Sequence, residues 1–216
     1  MAEEMGIDTN TVCRWVRDYR RKHNMPTYAE EKGIRTQPPK DSMVLKQRVK
    51  EKNKVWAGDI TYIKTKVGWV YLAVVIDLFN REIIGYDLGK KIDSQLVKNA
   101  LGNAIGRRGI KEGLIFHSDR GCQYASKGYQ EMLKEKKMQG SMSRPGCPYD
   151  NSCVESFFAS LKKEKIYQRE YATMEEVKKD IFWYIEMFYN RKRRHSTLKY
   201  MTPIEYLRKY DEIGVA

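Results

Sequence analysis

The chain has 216 residues, 41% of them hydrophobic, and its 41 Lys and Arg outnumber 28 Asp and Glu to give a net charge of +13. One main domain with a small appendage fits that length. There is no C-x-x-C pair, no His/Cys ligand cluster, no apolar leader core and no run near the roughly 18 apolar residues of a membrane span, which excludes zinc-framework, disulfide-scaffold, secreted and membrane-spanning readings in favour of a soluble cytoplasmic protein. The positive excess divides as +5, +4 and +4 over residues 1–54, 55–155 and 156–216. Several surfaces facing one polyanion, nucleic acid above all, explain this better than a basic tail would, the plainer alternative being a merely soluble basic protein.

Residues 2–23 predict two helical pieces around Gly6-Ile7-Asp8. Thr9 is the cap of the second, and Val12, Trp15, Val16 and Tyr19 form its apolar stripe. Arg14, Arg17, Arg20 and Arg21 load the remaining surface, as in a partial helix-turn-helix whose second helix enters a major groove, or as in an ordinary amphipathic helix with a solvated basic face. Residues 33–54, with Pro38-Pro39 and much charge, read as a linker. The expected division is therefore 1–32 DNA-binding segment, 33–54 linker, and 55–216 core with C-terminal helices.

From Val55 the texture changes. "VWAGDITYIK", "GWVYLAVVIDLF" and "REIIGYDLG" predict three antiparallel strands, with turns at Val67-Gly68 and Phe79-Asn80-Arg81. A helix capped by Asp93 or Ser94 follows, then a strand at Leu114-Ile115-Phe116, a helix "SKGYQEMLKEKK" and a short strand "MQGSMS". Helices are expected from about Cys153 to Tyr167, from Met174 to Arg191, and from Pro203. This order describes an α/β fold, a mixed five-stranded sheet flanked by helices.

Three acids stand out. Asp119 closes the apolar run "LIF" at a strand end, where loops converge on ligands in such sheets, although a turn-forming Asp bonded to nearby amides is the plainer reading. Asp59 sits inside a strand, with no basic residue from Val55 to Ile63, and a charge there is costly to bury unless it is paired or binds a cation. Glu155 lies three residues after Ser152, a capping-box spacing. It also shares a helix face with residue 162, which suits a carboxylate and a lysine meeting one phosphate. Other polar residues read more plainly. Asp77 organises the turn at Asn80-Arg81. Asp150 and Asn151 are loop and cap residues, with Asn151 also a support for the site. His117 supports the site by contacting a phosphate or bonding neighbouring backbone, without proton transfer. Arg191, Lys192, Arg193 and Arg194, followed by His195, exceed what a helix end requires, so contacts to a DNA backbone are expected there.

With 35 residues between Asp119 and Glu155, and Asp59 on the strand expected beside that of Asp119, the sequence resembles the transposase and retroviral-integrase superfamily with its D-D-E triad. More narrowly it is similar to bacterial insertion-sequence transposases, through "VWAGDITYI", "GWVYLAVVIDLFNREIIGY", "HSDRGCQY", "YDNSCVESFFASLKKE" and "YNRKRRHSTLKYMTPIEY" over about residues 53–210. The resemblance implies a ribonuclease-H-like core in which Asp59, Asp119 and Glu155 hold two Mg2+ ions, with Mn2+ substituting. It implies metal-dependent DNA cleavage and strand transfer by 3′-hydroxyl attack, with element ends and target DNA as partners, a homo-oligomer on DNA, and a nucleoid-associated bacterial enzyme. Arg120, Lys162 and Lys163 join the basic residues above as expected DNA contacts. The N-terminal module departs from the family pattern: the first expected helix and the leucine-zipper helix are missing. A non-catalytic DNA-binding remnant or inhibitor of transposition is therefore the alternative, with a ribonuclease of the same fold a third reading.

Overall fold

The computed structural model describes residues 49–143 and 152–214. The N-terminal segment with Arg14, Arg17, Arg20 and Arg21, most of the linker, Asp150 and Asn151 lie outside the described residues.

The Val- and Ile-rich runs form β1 (Val55–Thr65), β2 (Gly68–Asp77) and β3 (Ile83–Gly89), paired antiparallel in succession. Asp77 holds the second turn: its Oδ1 accepts the Phe79 N–H at 3.0 Å, and its backbone carbonyl accepts the Arg81 N–H. Its Oδ2 accepts the N–H of buried Asn53, also at 3.0 Å, so the last residues before β1 dock onto the same carboxylate. Helix α1 (Ser94–Arg108) starts where Asp93 caps it by accepting the Leu96 N–H. β4 (Ile115–Ser118) then enters parallel to β1, and β5 (Gln139–Met142) parallel to β4, giving the sheet order β3-β2-β1-β4-β5. Between them lie a short α2 (Cys122–Ala125) and α3 (Lys127–Glu135). The helix expected over "SKGYQEMLKEKK" is α3, and α2 is a short additional helix ahead of it, separated by extended Ser126.

Both sheet faces are covered, which is why the strands read as continuous apolar runs. On one face Ala57, Ile63, Leu72 and Val74 pack against Val154, Phe157 and Leu161 of α4 (Ser152–Glu164) and Val177 and Ile181 of α5 (Met174–Phe182). On the other, Trp56, Ala73 and Val75 meet Leu96, Val97 and Leu101 of α1, with Tyr129 and Leu133 of α3. The long helix expected to Arg191 keeps α-geometry only to Phe182 and continues as a π-helical stretch, Trp183–Tyr189. Just beyond it, buried Asn190 exchanges both its amide groups with the backbone of Ile83. The last described element is α6 (Pro203–Gly214), whose Asp211 pairs with Lys52.

Candidate active site

Strand register brings two of the acids together. β1 pairs with β2 along its whole length but with β4 only from Val55 to Gly58, and Gly58 faces Ser118. Asp59 is therefore the first residue beyond the shared ladder on one strand, and Asp119 the first beyond it on the other. Side chains alternate across a strand, so Asp59 and Asp119 share the face of Ala57, the face covered by α4. Glu155, next to buried Val154, is exposed in the first turn of that helix.

Each strand acid is oriented by an adjacent amide. Asp59 Oδ1 accepts the Ile60 N–H at 2.7 Å, a group that points to the edge β4 has left open. Asp119 Oδ1 accepts the Gly121 N–H at 2.9 Å. A Cβ on Gly121 would stand 3.0 Å from that oxygen, tighter than ordinary contact, so glycine is what lets the amide come close. The turn-forming character of Asp119 is therefore real, and the same hydrogen bond aims its carboxylate. Gly58 has a related role: a Cβ there would meet the Phe116 ring at 2.6 Å.

The electrostatics are those of negative charges in excess. Burial pushes the Asp59 carboxyl up, the charges of Asp119 and Glu155 push it further, and the Ile60 N–H and Lys162 oppose, leaving it at about 7. Lys162, two turns beyond Glu155, is itself pulled down by burial and held up by Asp59. Among the described residues no three His, Cys, Asp or Glu side chains stand close enough together to hold a metal ion as they are placed. The donor set nonetheless suits one: three carboxylates offer hard oxygens, and a carboxyl that burial first, and the charges of Asp119 and Glu155 after it, raise to about 7 is a site that gains from added positive charge.

His117 is buried, with Nδ1 3.0 Å from Ser141 Oγ and Nε2 3.1 Å from Ser143 Oγ. These partners are hydroxyls of β5 and of the residue after it. Ser141 and Ser143 were missed in the sequence, where only their period-2 spacing in "GSMS" hinted at a shared face. The basic residues divide. Arg120 is exposed and donates from Nε to the Ser143 carbonyl, and Lys163, Arg191, Lys192 and Arg194 are exposed. Arg193 differs from its neighbours in the run: its guanidinium binds the Glu164 carboxylate at 2.7 Å and Ser160 Oγ at 3.1 Å. His195 packs on Tyr189, and burial and nearby arginines lower its pKa to about 4.

Residues 49–148 and 136–203 each match a family described as the integrase core domain. The transposase InsF of insertion sequence IS3A from Escherichia coli K12 is 48% identical over 157 residues, 73% of this chain and 54% of its own length. The chain belongs to this family of bacterial insertion-sequence transposases with an integrase core. A second member, the transposase of IS904 from Lactococcus lactis, is 46% identical over 154 residues, 71% of this chain and 61% of its own length. The chain thus spans a little over half the length of the relatives it matches. Among solved structures, the catalytic core domain of HTLV-2 integrase in complex with magnesium superposes with a TM-score of 0.56 at 20% identity, over 71% of this chain and 95% of that domain. The mixed five-stranded sheet with its flanking helices is accordingly ribonuclease-H-like. Among the described residues, no helix is long and apolar enough to cross a membrane.

Proposed function

We propose that the protein is a DNA transposase that cuts a strand at the ends of an insertion sequence and joins the freed 3′-hydroxyl to target DNA. The observation that carries this reading is the register of Gly58 with Ser118, which sets Asp59 beside Asp119 on the face crossed by the helix of Glu155. Asp59, Asp119 and Glu155 would hold two Mg2+ ions, or Mn2+ in their place. When bound, such ions make an attacking oxygen more nucleophilic and stabilise the departing one. The chain's own residues do the rest. Asp59 gives up its proton as positive charge arrives. The amides of Ile60 and Gly121 keep one oxygen of each strand acid oriented. Lys162 supplies a cation beside Asp59 for a substrate phosphate. His117, locked between two serine hydroxyls, holds the end of β4 against β5.

Arg120, Lys163, Arg191, Lys192 and Arg194 contact the DNA backbone in this reading, and Arg14, Arg17, Arg20 and Arg21 reach the major groove of the element ends. The protein acts as a homo-oligomer on DNA, in the bacterial cytoplasm at the nucleoid. The test is Mn2+-dependent nicking of supercoiled plasmid and joining of a 3′-hydroxyl oligonucleotide, comparing wild type with Asp119→Asn. Activity lost in the variant supports the proposal. Equal activity in both overturns the assignment of Asp119, and silence from both in a folded, DNA-binding protein favours a non-catalytic binder. Preferential cutting of RNA in an RNA–DNA hybrid would favour a ribonuclease.

A further inference from the structure

The face of β1 opposite the acids carries an aromatic pair that the proposed chemistry does not use. Tyr62 on β1 and Trp69 on β2 have ring centroids 5.2 Å apart with planes at 83°. They remain 46% and 38% exposed. Large rings usually bury themselves where packing allows. Here the core on that face takes in Ile60 and Tyr71 as partly buried members and reaches no further along the hairpin.

The pair is connected to the acids by one lysine. Because β4 pairs with β1 only through Gly58, the β1 edge from Asp59 to Thr65 has no strand beside it on that side among the described residues. Lys162 belongs to α4 on the acid face and acts electrostatically on Asp59, yet its ammonium stands 4.5 Å from the Tyr62 ring centroid. Its side chain therefore rounds the open edge, and one cation serves both faces. Asp59 and Tyr62 are three residues apart on an extended strand, about 10 Å, or roughly three stacked base steps at about 3.4 Å each. Lys64, exposed, follows Tyr62 on the same face.

We propose that Tyr62, backed by Trp69, is a stacking platform for an unpaired base of the DNA strand held at the active site, with Lys162 gripping the adjoining phosphate. The inference rests on the transposase reading above. Charge selects the occupant: the rings lie beside Lys64, which faces Trp69 in the ladder, and Lys162, a pair of cations that a run of phosphates compensates and an apolar protein helix does not. Ring chemistry selects the form of DNA, since every base offers a π-face once unstacked, whereas an intact duplex shows proteins only base edges in its grooves. An opened or overhanging end therefore binds where a closed duplex gains nothing. The simpler reading, a cross-strand pair that only stabilises the hairpin, predicts no difference between the two DNA forms.

Binding of the full chain to a duplex with a short 3′ single-stranded overhang, and to the same duplex made blunt, separates these by fluorescence anisotropy. Tyr62→Phe should bind both as wild type does. Tyr62→Leu, which keeps an apolar side chain on the hairpin, should bind the overhang roughly 5- to 150-fold more weakly and the blunt duplex unchanged. Placing an abasic site in the overhang should weaken wild-type binding to the level of the Leu variant and affect that variant no further. Overhang affinity untouched by Tyr62→Leu, or lost equally on both DNAs, overturns the platform. That failure leaves the transposase reading standing as long as wild type still nicks plasmid with Mn2+, whereas a wild type that binds neither DNA overturns both.

Discussion

Asp59 and Asp77 occupy the same antiparallel ladder, Asp59 opposite Val74 and Asp77 opposite Trp56. Burial is the largest cause pushing both carboxyls up. What separates them is the company each keeps. Asp77 accepts amides from Asn53 and Phe79, one on each oxygen, and the charge of Arg108 also favours its ionised form against the single opposing charge of Glu82. Asp59 has one amide and the charge of Lys162 set against two further acids. A buried carboxylate whose charge is satisfied from within is part of the turn that holds it. One whose neighbours add negative charge must be completed from outside, by a proton or a cation.

The comparison breaks most sharply in catalysis. With Asp59 as a proposed metal ligand, Asp59→Asn should reduce Mn2+-dependent nicking by more than about 100-fold, the equivalent of several kcal/mol of transition-state stabilisation. Asp77→Asn should leave the activity of the folded fraction within about threefold of wild type, a factor small against that loss. Loss of activity in both, at equal folded fraction, would erase the distinction. Stability should reverse the order. An amide presents one acceptor oxygen and turns its NH2 toward one of the two donors, so Asp77→Asn should cost about 1–3 kcal/mol in urea unfolding.

The smallest effect concerns pH. The Asp59 carboxyl lies at about 7 in the folded, metal-free protein against 3.8 ordinarily. Its favourable contribution is then complete below 3.8 and lost as pH rises through about 7. Asp59→Asn should accordingly match wild type at pH 4 and exceed it by about 1–2 kcal/mol at pH 8, the site being partly open to solvent. A gain independent of pH, read from urea midpoints across that range, would show that the carboxyl is unperturbed.

Much of this was legible along the chain. The Asp93 cap, the turn held by Asp77 and the three-strand meander rest on local signals: side-chain to amide geometry, alternation and breaker residues. Asp119 and Glu155 were recognisable by their spacing and their neighbours. Other features left no local trace. Arg193 sits within a basic run yet turns inward, because Glu164, at the end of a different helix, meets its guanidinium. The π-helical stretch alters an otherwise helical pattern without changing its apolar period. Tyr62 and Trp69 looked like ordinary strand aromatics, since alternation says which face they take and not whether a helix covers it.

By itself, then, the order of residues determined the succession of strands and helices, the residues able to form a core, and which acids were out of place in apolar surroundings, because each follows from chemistry within a few residues of the chain. Only the tertiary structure decided that Gly58 faces Ser118, that α4 brings Glu155 and Lys162 over the same edge, and that the core of the described residues on the opposite face stops at Ile60, short of Tyr62. Parallel pairing between distant strands is set by how both sheet faces pack at once, and no local preference encodes that balance.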